Sequence, residues 1–146
     1  MSLLSSLWDK IRGREEGLSV EEAVIDSITA TILFDEEVSD EELGYASGFI
    51  GSALGVKPER AEALIAESRA RVEAQAQPAL LATLSETLKT PEHRRMAMLC
   101  ALAASHVDVG EEGLGEERFL GALAASLGMD DATVRAIADE VAALTA

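Results

Sequence analysis

Apolar residues recur along this chain at helical spacing, in separate blocks. Leu43, Ala46, Ile50, Ala53 and Leu54 fall at intervals that keep them on one side of a helix, as do Phe119, Leu120, Leu123 and Leu127, and Val134, Ile137, Ala138 and Val141. Residues three and four apart share a helical face, so each block presents one apolar stripe to a common core. No stretch alternates apolar and polar residues as a half-buried strand does. The pattern predicts helices near 20–35, 40–54, 58–75, 79–89, 91–107, 115–127 and 131–144, with a short amphipathic helix near 2–12. The expected fold class is all-α, a helical bundle of about seven or eight helices.

Punctuation between the blocks supports these boundaries. Ser19-Val20-Glu21-Glu22 and Ser39-Asp40-Glu41-Glu42 each place a hydroxyl three residues before a carboxylate, the spacing of a capping box. Pro58 and Pro91 stand where a first helical residue falls, Asp130 offers a further cap, and Gly55 and Gly128 each follow a leucine as C-terminal stops. Gly44, Gly48 and Gly51 lie inside one predicted helix, where each is about 1 kcal/mol less favourable than alanine. Close approach of another helix backbone would offset that, and so would a ligand pressing on the same surface.

One offset relates the two ends of the chain. Asp35 and Asp108, Leu54 and Leu127, Gly55 and Gly128, and Leu64 and Ile137 are all 73 positions apart. The reading is one domain over 1–146, with a short N-terminal amphipathic helix in 1–14, a first half at 20–75 and a second at 91–144, joined through the region near 70–90 as an internal pseudo-repeat.

Charge narrows the partners. Twenty-seven Asp and Glu against twelve Lys and Arg leave a net charge of -15, which repels a phosphate backbone, and only 3% of residues are aromatic, too few for a stacking platform. Nucleic acid is therefore not an expected ligand; cations and basic protein surfaces are. No apolar run reaches the roughly 18 residues of a membrane span, because Asp26 interrupts the first candidate and His106 and Asp108 close the second. The residues from Met1 to Trp8 have no basic leader and no cleavage pattern. The lone Cys100 sits in an apolar run and reads as a reduced core thiol. A cytoplasmic protein is the expectation.

The acids are not evenly spread. Asp35, Glu36, Glu37, Asp40, Glu41 and Glu42 cluster between two predicted helices of the first half, and Asp108, Glu111, Glu112, Glu116 and Glu117 between two of the second. Oxygen-rich loops of this kind bind hard cations such as Ca2+, Mg2+ or Mn2+. Carboxylates in a helix's first turn also complement its positive end without any ion, and an acidic corner can dock a basic partner. All three readings stay open at this level. Asp108-Val109-Gly110-Glu111-Glu112-Gly113 begins as an EF-hand loop does, yet Phe119 stands where the closing bidentate glutamate belongs.

The run from Ile32 to Leu43, followed by Ala53-Leu54-Gly55-Val56 and by the second-half counterpart from Ala104 to Met129, resembles the TerB-like family of tellurite-resistance-associated proteins over residues 20–144. The resemblance implies an all-helical, two-half, non-enzymatic cytoplasmic protein linked to tellurite and metal stress, with divalent metal binding and protein partners near the membrane. By position it implies metal-site roles for Asp35 and Glu42 in the first half and for Asp108, Glu116 and Glu117 in the second. Family members carry glycine directly after the aspartate, whereas this chain has Glu36 and Val109.

Other chemistry is sparse. There is no glycine-rich phosphate loop, no nucleophile elbow and no His-Glu-x-x-His or Glu-x-x-His pattern for His93 or His106, so no catalytic residues are expected. Asp26-Ser27-Ile28 is similar to the modified serine of acyl carrier proteins, but Ser27 lies two turns beyond the cap at Ser19. Leu3, Leu4, Leu7, Trp8 and Ile11 form one face of the N-terminal segment, with Lys10, Arg12 and Arg14 beside it. Packing on its own domain or on a second copy in a homodimer fits this segment better than peripheral contact with an anionic membrane, which would repel the acidic body. The alternative to a metal-binding protein is a helical interaction scaffold with no metal site.

Overall fold

The computed structural model describes residues 20–34, 40–105 and 119–145. They form α1 (Val20–Leu33), α2 (Asp40–Leu54), α3 (Pro58–Glu73), α4 (Gln77–Thr87), α5 (Pro91–Ser105), α6 (Phe119–Ser126) and α7 (Asp131–Thr145), and none of them is in a strand. The segment near 2–12 and the caps at Ser19 and Ser39 lie outside the described residues.

Most boundaries fall where local chemistry predicts. At α5 the Thr90 hydroxyl accepts the His93 N–H at 3.1 Å, and at α7 the Asp130 carboxylate accepts the Thr133 N–H at 2.8 Å. Lys57 precedes α3 without a side-chain cap, and Pro58 supplies the first turn. The one early start is α4, which begins at Gln77 rather than 79 because Pro78 fits the first turn, where its fixed φ and missing N–H are harmless. Gly55 and Gly128 adopt φ of 68° and 73°, the left-handed conformation that turns the chain out of a helix. Beyond them the N–H groups of Val56 and Met129 reach back to the carbonyls of Gly51 and Ala124 at 3.1 and 2.8 Å. Both helices thus end with the same hydrogen-bonded closure.

α1 is the centre of the packing. It lies chiefly against α5 and α3, and it also touches α2, α4 and α6, while α2 packs on α3 and α5 on α7. Every residue from Ala23 to Ile32 is buried, so α1 has no solvent face over most of its length. Ile25, Ile28 and Ile32 meet a core that includes Ile50, Leu80, Leu84, Leu88, Met98, Leu99 and Leu120. Arg94 fastens two helix ends to α5: its guanidinium donates to the carbonyls of Leu88 at 2.6 Å and Ser85 at 3.1 Å at the end of α4, and of Leu127 at 3.3 Å after α6. A cation is favoured at both of these negative helix termini.

Surrounding a helix on all sides requires every polar side chain on it to be answered. Ser27 and Thr31 donate back to the carbonyls of Ala23 and Ser27 at 2.9 and 2.6 Å. Asp26, 2% exposed, accepts the Ser68 hydroxyl at 2.6 Å and a forked pair from Arg71, with Nη2 at 2.7 Å and Nε at 3.0 Å. The hydroxyls of Ser68 and Thr29 lie 2.9 Å apart, and Arg71 Nη1 stands 3.3 Å from Glu22. The hydrogen bond to Asp26, with Asp26 and Glu22 as neighbouring negative charges, holds the Arg71 guanidinium above its ordinary pKa although partial burial pulls the other way.

Two predictions follow from this packing. Asp26→Ala leaves Arg71 half-buried without its carboxylate and is expected to lower the unfolding free energy by about 3–5 kcal/mol, whereas Asp26→Leu combined with Arg71→Met should recover most of that loss. Urea unfolding of the three proteins measures both. Gly55→Ala and Gly128→Ala should each cost about 1–2 kcal/mol because a Cβ is disfavoured at positive φ, and asparagine at either site should cost less; the same denaturation assay reads the difference.

Candidate functional site

Two aromatic rings meet where the first acidic segment begins in the sequence and the second ends. The ring of Phe34, in the turn after α1, stacks on that of Phe119, the first residue of α6, with centroids 5.4 Å apart and planes at 16°. Phe119 is buried, while Phe34 is 38% exposed, the one large apolar side chain so exposed among the described residues. Stacked aromatic pairs contribute about 0.5–1.5 kcal/mol beyond the area they bury, a modest term that favours this placement of the end of α1 against the start of α6.

Chain connectivity gives this contact its interest. Asp35 follows Phe34 directly, and Glu116 and Glu117 lie just before Arg118 and Phe119. Successive Cα atoms are about 3.8 Å apart, so acids from both halves start within one to three steps of a single stacked pair. Asp35, Asp108, Glu116 and Glu117 themselves lie outside the described residues, and of Glu42 the structure describes the place in the first turn of α2 but not the side chain. The stack therefore joins the roots of the two acidic segments. Among the described residues no three His, Cys, Asp or Glu side chains converge.

The site residues expected from the sequence, Asp35, Glu42, Asp108, Glu116 and Glu117, all carry carboxylates. Carboxylates suit hard divalent cations, which take oxygen ligands and fill the remaining positions with water. A soft, thiol-seeking ion has no match in Cys100, which is buried in α5 with its Sγ 3.6 Å from Met96 Sδ.

Several features of the sequence find their structural context here. Ser27 is buried and its hydroxyl is spent on a backbone carbonyl, so the carrier-protein reading has no accessible serine. Asp26, which sequence reasoning saw as an interruption in an apolar run, is the anchor of α1. A lone acid in such a run signals a buried partner, but Arg71 stands 45 residues away and local spacing cannot find it. Of the three glycines in α2, Gly51 meets the expectation of close helix approach, with an added Cβ 3.5 Å from Ala61; at Gly44 and Gly48 a Cβ would meet nothing described within 4 Å. No helix among the described residues is long and apolar enough to cross a membrane.

Burial pushes the Cys100 thiol up to about 12, from an ordinary value of 9.0. A thiol harder to ionise in the folded than in the unfolded chain contributes stability that is complete below pH 9 and drains away as pH rises toward 12. Folded protein at pH 8 should therefore resist a disulfide reagent such as dithionitrobenzoate and react fully in urea, and Cys100→Ala should flatten the loss of stability measured between pH 9 and 12.

No family model matches this chain, and neither a curated protein nor a solved structure matches it.

Proposed function

We propose that this chain is a non-enzymatic, TerB-like helical protein whose two acidic segments act as a pair, binding a divalent cation of the Ca2+, Mg2+ or Mn2+ class and protein partners in a cytoplasmic response to tellurite or metal stress. The Phe34–Phe119 stack carries this reading, because it roots both segments at one corner. The matched ends of α2 and α6, with positive-φ glycines at positions 55 and 128 and the same back-bonded closure, favour two related halves. Asp35 and Glu42 from one half and Asp108, Glu116 and Glu117 from the other are the residues that would hold the ion. A bound cation there would neutralise part of the local negative charge and offer open positions to a partner's carboxylates or phosphates.

Thermal melts in separate millimolar additions of Ca2+, Mg2+ and Mn2+ test the pairing. A ligand at 100 times its dissociation constant adds about 2.7 kcal/mol to folding stability. The expected result is an ion-dependent rise in Tm that Asp35→Asn with Asp108→Asn abolishes, and that either substitution alone largely removes. A second reading, an interaction scaffold whose acids only cap helices, has its own support. Asp130 sits before α7 and its carboxylate is held below the ordinary pKa by the Thr133 N–H, a cap with no ion involved. A Tm unchanged by all three ions would favour that scaffold.

A further inference from the structure

A cleft of about 350 Å³ opens where the start of α5 meets the turn between α6 and α7. Pro91, Leu127 and Met129 form its apolar walls, and Lys89, Arg94 and Arg95 bring three cations to it. No acidic side chain lines it among the described residues, in a chain where Asp and Glu outnumber Lys and Arg by 27 to 12. Arg94 is already committed, since its guanidinium answers the carbonyls of Ser85, Leu88 and Leu127 and holds the walls together. Lys89 and Arg95 are freer. Lys89 is exposed and has no ion pair among the described residues. Arg95 meets Glu140, with Nη1 at 3.2 Å from Oε1, but both side chains reach solvent, where an ion pair exchanges partners at little cost. Asp130, next to Met129, is held by its cap to the Thr133 N–H.

We propose that this cleft binds a small amphipathic carboxylate, with its apolar stem along Leu127 and Met129 and its carboxylate between Lys89 and Arg95. The lining requires both halves of that ligand. A neutral apolar molecule would cover the two cations without replacing their water, and a small hydrophilic anion would leave the apolar walls wet. An ammonium and a guanidinium together donate charge-assisted hydrogen bonds to one carboxylate, the stronger class of such bonds. The start of α5 at Pro91 turns the positive end of a 15-residue helix to the same side. The volume lies at the small end of ligand pockets, which run from about 300 to 1,000 Å³. This cleft is separate from the Phe34–Phe119 stack. Phe119 opens α6 and Leu127 follows its last residue, about 12 Å away at 1.5 Å per helical residue, so carboxylate binding here does not rest on a metal site there.

Titration of the full-length protein with octanoate, followed by amide chemical shifts, tests the assignment, with octanol and acetate as controls. Octanoate should bind saturably, with shifts centred on Lys89, Gly128, Met129 and Thr133, and octanol and acetate should each bind at least about tenfold more weakly. Lys89→Gln and Arg95→Gln should each weaken octanoate about three- to tenfold. Thr133→Phe, which fills the cleft from an exposed position on its lining, should abolish the shifts. If that variant loses helix content by far-UV circular dichroism, Lys89→Gln combined with Arg95→Gln decides, and loss of the preference for octanoate over octanol supports the proposal. Octanol or acetate binding the unaltered protein as tightly as octanoate overturns it, as does an octanoate affinity that the double variant leaves unchanged. Shifts centred elsewhere, or no saturable binding up to about 10 mM, also overturn it.

Discussion

The pairing of Asp26 with Arg71 and Ser68 is the interaction on which the rest of the structure depends. α1 is enclosed by neighbours along most of its length, and a carboxylate in its middle loses its water when those neighbours close over it. Such burial is tolerated only when fixed donors replace the lost hydration. Arg71 and Ser68 are those donors, and both sit on α3 one helical turn apart, so satisfying Asp26 also fixes how far along α1 the helix α3 can lie. Leucine at Asp26 could have filled the space, but it would not choose one register among several. The polar contact therefore contributes specificity beyond the attraction between two charges.

Much of the fold was legible because helix ends are written locally. Proline in the first turn of α3 and α5, the hydroxyl of Thr90, the carboxylate of Asp130 and the glycines at 55 and 128 each act within a few residues of where they stand, and each appears in the structure doing what its chemistry predicts. The apolar stripes were equally plain, since Ile50, Leu123, Leu127, Val134 and Ile137 are all buried. What could not be read was the partnering of distant residues. Asp26 finds Arg71 across 45 positions, Arg94 binds Leu127 across 33, and Phe34 meets Phe119 across four intervening helices. Spacing rules reach one turn of helix, and these contacts are decided by how helices lie on one another.

The candidate site was legible in a different way. Its acids are conspicuous as a composition, yet composition alone cannot separate caps from ligands, because both uses put carboxylates at the start of a helix. The structure adds the one fact that composition lacks, that the two acidic segments share a root. It also shows where the positive charge goes. Arg71 is turned inward to Asp26 and Glu22, Arg94 to helix carbonyls, Arg95 to Glu140, Arg60 to Glu67 and Arg69 to Glu73. With those five arginines engaged elsewhere, Arg118, which directly precedes Phe119, is the basic residue nearest in sequence to the Phe34–Phe119 stack.

Like charges close together in sequence repel, and a counter-charge relieves that repulsion, whether it comes from an ion, from a partner or from the chain's own Arg118. The stacked phenylalanines tie the end of α1 to the start of α6, since Phe34 follows α1 directly and Phe119 opens α6, and α1 is itself paired with α3 through Asp26. On the proposed function, a counter-charge bound near that corner would act on helices that are already packed, and little of its binding energy would be spent on ordering them. The buried ion pair and the first acidic segment are connected in this sense: the pair holds α1 in place, and the segment begins in the sequence where α1 ends.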